Sequence, residues 1–288
     1  MSQMQLHRVV DPGDFLAAAE PFLVQREATN NVLLGLAATL RVSPGFAIQP
    51  PYFAVVETGG EVVAAGVITP PNRLNLSYTE FPTALDLLVA DVRAFYPLLP
   101  GASGPVPVAR WFAERWQRLT GARFTQTMAQ HNYQLTRVNT PVGVAGEARL
   151  ATSADLDLLA DWYMAFEVEA FGESTTDSRA RVERVLATPT RAIYLWDDGG
   201  QPVSLAGYGS PTPHGMRVGP VYTPPERRGR GYASALVAWV SQHLLDEGRQ
   251  SVFLFTDQRN PTANHIYQVI GFEPVAGVDE FKFTPRAE

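Results

Sequence analysis

The feature that most constrains this 288-residue chain is that it repeats itself. Residues 57–71 read ETGGEVVAAGVITPP and residues 197–213 read DDGGQPVSLAGYGSPTP. Gly59 and Gly60 match Gly199 and Gly200 at an offset of 140, while Gly66 and Pro70 match Gly207 and Pro211 at 141, as one inserted residue would produce. Further upstream, LHRVVDPGDFLAAAE is similar to ARLATSADLDLLADW, with Arg8 and Asp14 matched to Arg149 and Asp155 at the same 141. An offset held nearly constant over two separate segments points to duplication. Two α/β units of about 140 residues are therefore expected. Their expected bounds are 1–140 and 146–288, with a seam in the Gly-, Pro- and Val-rich stretch RVNTPVGVAGEA at 137–148.

Local patterns agree between the copies. Each Gly-Gly pair stands between β-rich runs, YFAVVE and VVAAGVI in the first copy and AIYLWD and VSLAGYG in the second, which predicts a hairpin in each. The upstream segments each predict a short strand, an Asp-containing cap and a helix.

Composition removes several classes of function. Without cysteine there is no disulfide, thiolate metal site or Fe–S cluster, and no cysteine nucleophile. Five histidines, none in H-x-x-x-H or HExxH spacing, give no reason to expect a metal. Residues 1–145 balance 10 basic against 10 acidic side chains, whereas residues 146–288 set 13 against 19, so the net charge of -6 belongs to the second half. A basic stripe is missing, and no nucleic-acid partner is expected. Apolar runs such as VLLGLAATL are far shorter than the ~20 residues of a membrane span, and MSQMQLHRVVDPGDF lacks a signal-peptide pattern. A soluble cytoplasmic protein is the expectation.

The chemistry is written in the second half. MRVGPVYTPP (216–225) is a β-rich run stopped by two prolines, and ERRGRGYASALVAWVSQHLLDEG then places Leu236, Val237, Val240 and Leu244 on one helical face before Gly248. A strand thus feeds an Arg/Gly turn that opens a helix. Such a turn presents backbone N–H groups without helical partners, the positive end of the helix dipole, and glycines that allow close approach, which together suit a pyrophosphate. A Walker A loop is excluded because the only lysine is Lys282, and the dinucleotide fingerprint fails because Ser234 stands where the third glycine belongs.

The run RGRGYA has the form R-x-x-G-x-A, with Arg228, Gly231 and Ala233 at the motif positions, and here the sequence resembles the GCN5-related N-acetyltransferases (GNAT). LFTDQRNPTANHIYQVIGF (254–272) is similar to a second motif of that family, through Asn260, Ala263, Tyr267, Gly271 and Phe272. The resemblance implies an α/β fold of α+β type: two tandem GNAT-like domains, each a mixed, mostly antiparallel sheet flanked by helices, the second binding acetyl-CoA. It also implies roles. Backbone groups of Arg228, Gly229, Arg230, Gly231, Tyr232, Ala233 and Ser234 would hold the pyrophosphate, with Arg228 and Arg230 adding charge. Val221, Tyr222 and Thr223 would pair with the pantetheine arm, and an amide there would act as oxyanion donor. Tyr267 would protonate the departing thiolate. Asn260, placed before Pro261, is either an N-cap or a cofactor contact, and Asn264, one turn before Tyr267, is within reach of the cofactor. Candidate general bases are Glu167, Glu169 and Glu173, with His214 a further candidate; His243 is expected on a helix surface.

In the first half, LNLSYTEFPTALDLLVADV passes from strand to helix with neither glycine nor arginine in the turn, and Gln117 stands four residues before Gly121 where the Tyr-bearing helix would carry tyrosine. That copy is expected to be degenerate. The reading is an acetyl-CoA-dependent N-acetyltransferase acting directly on an amine of a small molecule or peptide, with the acidic half favouring a cationic acceptor. Two alternatives are a non-catalytic acyl-CoA sensor and an aminoacyl transferase, the latter opposed by the CoA-loop pattern and the missing basic stripe.

Overall fold

A computed structural model describes residues 3–172 and 177–286. In chain order the elements are β1 (Gln5–Val9), α1 (Pro12–Leu23), α2 (Glu27–Val42), β2 (Tyr52–Thr58), β3 (Glu61–Ile68), β4 (Leu74–Leu76), α3 (Ala84–Phe95), β5 (Gly101–Pro105), α4 (Val108–Thr120) and β6 (Arg123–Leu135). The second series is β7 (Glu147–Leu150), α5 (Leu156–Phe171), α6 (Ser178–Leu186), β8 (Ala192–Asp198), β9 (Gln201–Gly209), β10 (Gly215–Tyr222), α7 (Tyr232–Asp246), β11 (Ser251–Asp257), α8 (Pro261–Ile270) and β12 (Glu273–Thr284). Among the described residues no helix is long and apolar enough to cross a membrane.

The duplication is visible in the backbone. Gly59 and Gly60 close β2–β3 with φ of 62° and 84°, and Gly199 and Gly200 close β8–β9 with 59° and 76°. Two successive positive φ values match the right-handed twist of a hairpin and are strained for any side chain. In both hairpins the register slips at the matching place, between Val56 and Glu57 and between Trp196 and Asp197. The matched arginines diverge: Arg149 bridges Asp155 and Asp197, each at 2.8 Å, whereas Arg8 pairs with Asp91 at 2.7 Å.

One compact unit comprises residues up to Tyr133, with Phe255–Asn260 and the stretch from Pro274; the other comprises Gln134–Leu254 and Pro261–Glu273. In the first, the strand order is β1-β2-β3-β4-β5-β12-β6. Its β2 is apolar without a break because it is covered on both sides: Phe53 and Val55 meet Phe15, Leu33 and Leu34 of α1 and α2, and Ala54 and Val56 face the cluster holding Leu88, Phe112 and Trp116 of α3 and α4. In the second, the order is β11-β10-β9-β8-β7, mixed but mostly antiparallel. Tyr163 of α5 and Val182 of α6 pack with Ile193, Leu195 and Leu205 on one face. Helix α7 packs against β8, β9 and β10 and buries Leu236, Val237, Val240 and Leu244.

The expected linear bounds of 1–140 and 146–288 differ from these units. The last strand, β12, belongs with the first: Val278–Lys282 pair antiparallel with β5, and Phe281 and Phe283 enter the core around Trp116, whose ring lies 5.6 Å from that of Phe283. Gly101 is required there, since a Cβ would run into the Phe281 carbonyl. The cause is edge pairing, because β5 without β12 would leave its outer backbone groups unmatched beside a large apolar cluster. Phe281 is 1% exposed, so Phe281→Ala is expected to cost about 3–5 kcal/mol, read as lost hydrogen-exchange protection of β2, β3 and β5 under denaturant.

Candidate active site

The site grows from a fault in β10. This strand pairs in parallel with β11 over Gly215–Arg217, where the β10–β11 register ends at Arg217↔Phe253. On its other side it pairs with β9, but the register shifts between Val218 and Val221 around Gly219, whose φ is 144°. Gly207 of β9 accommodates the shift, as a Cβ there would stand 3.2 Å from the Gly219 carbonyl oxygen. Past the slip, Val221 and Tyr222 keep their β9 partners Ala206 and Leu205. The opposite edge of β10 is left open for another hydrogen-bonding chain.

That edge leads into the Arg/Gly turn. Gly229 and Gly231 both hold left-handed φ, 77° and 81°, and no side chain caps α7. The first N–H groups of the helix, from Tyr232 to Ser234, therefore point out of an uncapped N-terminus carrying the positive end of the dipole. Arg228 is fixed: its Nε donates to the Thr223 carbonyl at 2.9 Å and its Nη2 to Glu169 at 2.5 Å, and its guanidinium lies 5.9 Å from the Tyr222 ring centre. Thr223 Oγ1 shares a 2.8 Å hydrogen bond with Ser204 Oγ, which also approaches the Tyr222 carbonyl at 3.1 Å. Arg230 is exposed, and Ala233 and Ser234 are half-buried. Tyr232 differs from the others: its side chain is buried and its hydroxyl donates to Asp198 at 2.5 Å, so it anchors α7 to the β8–β9 turn, leaving only its amide for a ligand.

Tyr267 lies on α8, which packs against α7. Burial pushes its phenol up to about 12. The rest of the motif explains the tyrosine's setting. Gly271 ends α8 with φ of 114°, donating to the Tyr267 carbonyl at 3.2 Å, and a Cβ there would be 2.6 Å from the Arg137 carbonyl oxygen. Phe272 is buried, with its ring 5.9 Å from that of Tyr267 in an edge contact. Asn264 is half-buried one turn earlier, and Asn260 directly precedes α8, with its N–H donating to the Asp257 carbonyl at 3.0 Å. Asn260 belongs to the first compact unit, not to the unit that holds the Arg/Gly turn.

The acidic candidates separate. Glu169 is exposed and bridged to Arg228; Glu167 is 3% exposed and ion-paired with Arg181. Glu173 lies outside the described residues. His214 is exposed at the start of β10, where its carbonyl accepts from Gln250 and Ser251, and His243 hydrogen-bonds Tyr194 at 3.1 Å. Sequence reasoning passed over Arg191 and Arg217, which both donate to Ser210 Oγ, with Arg191 near enough to Tyr163 to act on its phenol. Lone arginines in β-rich stretches carry no motif.

In the first unit the corresponding features are filled in. β4 is three residues long and still touches β5 at its end, since a Cβ on Gly104 would lie 2.9 Å from that of Leu76. The start of α3 is tied down by bonds from Ala84, Leu85 and Asp86 to the carbonyls of Phe81, Pro82 and Thr83, with Asp86 placing negative charge in its first turn. A cleft of about 590 Å³ does exist there, lined by Arg26, Asn30, Glu57, Glu61, Tyr78 and Glu80 among others. Arg26 crosses it, 4.3 Å from the Tyr78 ring centre and 3.2 Å from Glu80.

Residues 156–272 match the sequence model of the acetyltransferase (GNAT) family. No curated protein matches the chain in sequence. Among solved structures, a Drosophila protein superposes with a TM-score of 0.70 at 12% identity, over 98% of this chain and 99% of its own. A GCN5-related N-acetyltransferase from Sphaerobacter thermophilus gives 0.62 at 18% identity, over 99% and 97%. A tandem GNAT protein from the clavulanic acid biosynthesis pathway gives 0.59 at 14%, over 99% and 100%. At such identities the superpositions speak for fold alone. The family match falls on the unit with the parted strand, the uncapped helix and Tyr267, so residues 156–272 are a domain of the acetyltransferase (GNAT) family, and the chain has the tandem two-domain fold.

Proposed function

We propose that the chain is an acetyl-CoA-dependent N-acetyltransferase that passes the acetyl group directly to an amine of a small molecule or peptide in a ternary complex. Acyl transfer from acetyl-CoA is the general chemistry of the family. The observation that carries the finer reading is the parting of β10 from β11 after Arg217, immediately before an uncapped helix entered through two left-handed glycines. An open strand edge fits the amides of a pantetheine arm, and the uncapped N–H groups fit a pyrophosphate. When bound, acetyl-CoA would supply an activated acyl thioester.

In this reading Val221, Tyr222 and Thr223 offer the open edge, and one amide near Val221 faces the developing oxyanion. The backbone of Arg228 to Ser234 holds the phosphates, Arg230 adds charge, and Glu169 braces Arg228. Glu167 takes the amine proton from its buried position beside Tyr163. Tyr267 gives its proton to the thiolate, Asn264 touches the cofactor one turn earlier, and Asn260 serves only the start of the helix. The absence of cysteine agrees with direct transfer, without an acyl-enzyme. The first unit carries no CoA chemistry, because its strands do not part. The protein works in the cytoplasm.

Tyr267→Phe is expected to lower kcat by about 10²- to 10⁴-fold at unchanged CoA affinity, followed as free CoA over a panel of amines, amino acids and peptide N-termini together with calorimetry. Tight CoA binding with no acceptor-dependent release across that panel would leave the sensor instead. Because burial raises the phenol to about 12, its proton is retained at neutral pH; the stability linked to that raised value is complete below the usual tyrosine range and is lost only as pH rises toward 12. The kcat profile should therefore show no descending limb from Tyr267 between about pH 7 and 9.5. Gly231→Leu, forced into φ of 81° and against Val144 at 2.9 Å, should cost roughly 1–2 kcal/mol in stability by denaturation and abolish CoA binding by calorimetry.

A further inference from the structure

Two arginines that belong to no motif converge within the second unit. Arg217 stands at the last residue of β10 still paired with β11, two positions before Gly219. Its Nη2 donates to Ser210 Oγ at 2.9 Å, and Arg191 Nη2 donates to the same oxygen at 3.1 Å. Ser210 is fully buried and is the sole non-glycine residue with positive φ among those described, at 58°. Such a conformation costs energy and persists where the surroundings dictate it. Arg217 pairs with Gly209 across the sheet, and the Arg191 side chain lies over Gly209, where a Cβ would come within 2.7 Å of its Cγ. The two side chains thus share the face covered by α5, where Tyr163 feels the charges of Arg181, Arg191 and Glu167.

Both guanidiniums are half-buried, and among the described residues no carboxylate lies within ion-pair distance of Arg217. Burial and the charge of Arg191 pull Arg217 down to about 10; burial and the charge of Arg181 do the same for Arg191, against the influence of Tyr163. Both remain charged at neutral pH. Arg217 thus keeps its charge in a partly enclosed place with the like charge of Arg191 sharing its serine oxygen, and an anion held there would offset its desolvation. The guanidinium fork suits a carboxylate in particular.

We propose that Arg217, with Arg191, forms a subsite for the carboxylate of the acceptor, so that the acceptor is an amine bearing a carboxylate, as in an amino acid. This rests on the acetyltransferase reading and names its substrate class. Glu167, on the same face, then serves the amino end while the arginines hold the acid end. The net negative charge of the second half, which by itself suggests a purely cationic acceptor, is outweighed by this local arrangement.

The experiment pairs each L-amino acid with its carboxamide, adds O-phosphoethanolamine, and measures both transfer from acetyl-CoA and direct calorimetric binding, for wild type, Arg217→Gln and Arg217→Lys. Wild type should favour one or more carboxylates over the matched amides by about 10- to 100-fold in kcat/KM and in affinity. Arg217→Gln should bring that ratio close to one, through a rise in KM for the carboxylates, and Arg217→Lys should restore part of it. Equal use of acid and amide by wild type overturns the proposal even if no variant folds, as does preference for O-phosphoethanolamine over every carboxylate. Loss of CoA binding and turnover would sink the acetyltransferase reading alone, because carboxylate binding to the wild-type protein, selective over amide, would still stand; its absence would overturn the subsite.

Discussion

Backbone groups inside a sheet must be matched, and among the described residues of the second unit the pairing of β10 with β11 stops short of the strand's end. Between Val218 and Val221 the β10 register slips against β9, and after Arg217 β10 has left β11. Gly207 has no side chain to block the slip, and Gly219 takes a φ closed to most residues. Energy that an uninterrupted sheet would gain from further pairing is forgone at this point, and a ligand able to complete the hydrogen bonding recovers it. The bulge sets where the open edge begins, the prolines after Tyr222 set where the strand stops, and the left-handed Gly229 and Gly231 bring α7 in uncapped.

The two copies are alike in their hairpins and part ways at the strand that follows. They share hairpins with the same glycine conformations and the same register slip. What differs is local. In the first copy β4 is short and abuts Gly104, and the turn into α3 satisfies its own amides and adds Asp86. In the second, a longer strand and two turn glycines leave the equivalent groups exposed. Side chains around that turn are employed in bracing: Arg228 is drawn to Glu169 and Thr223, and Tyr232 to Asp198.

The parts of this arrangement that were legible in the sequence are those written in backbone demands or close spacing. Paired glycines announce a hairpin because few other residues tolerate the turn, and the spacing from Tyr267 to Gly271 and Phe272 announces a helix that ends under a neighbouring carbonyl. The partner of β12 was illegible, because EPVAGVDEFKFT reads as a strand but nothing in it states that β5 is its neighbour. Arg217 was likewise hidden, since its meaning depends on Arg191 and on Ser210, neither close to it in sequence spacing nor linked to it by pattern. The pairing of Arg228 with Glu169 was equally hidden, since the two stand far apart in the sequence.

The place of β12 bears on how the protein is made. A chain emerging from the ribosome usually completes its first domain before its second exists. Here the sheet of the first unit lacks a central strand until the residues around Phe281 have been synthesised. For most of translation, the apolar surface around Trp116 and Phe112 waits for its last partners, and the edge of β5 stays open to other strands. The unit without the Arg/Gly turn is thus the later one to be finished, and the order in which the two are encoded is not the order in which they can close.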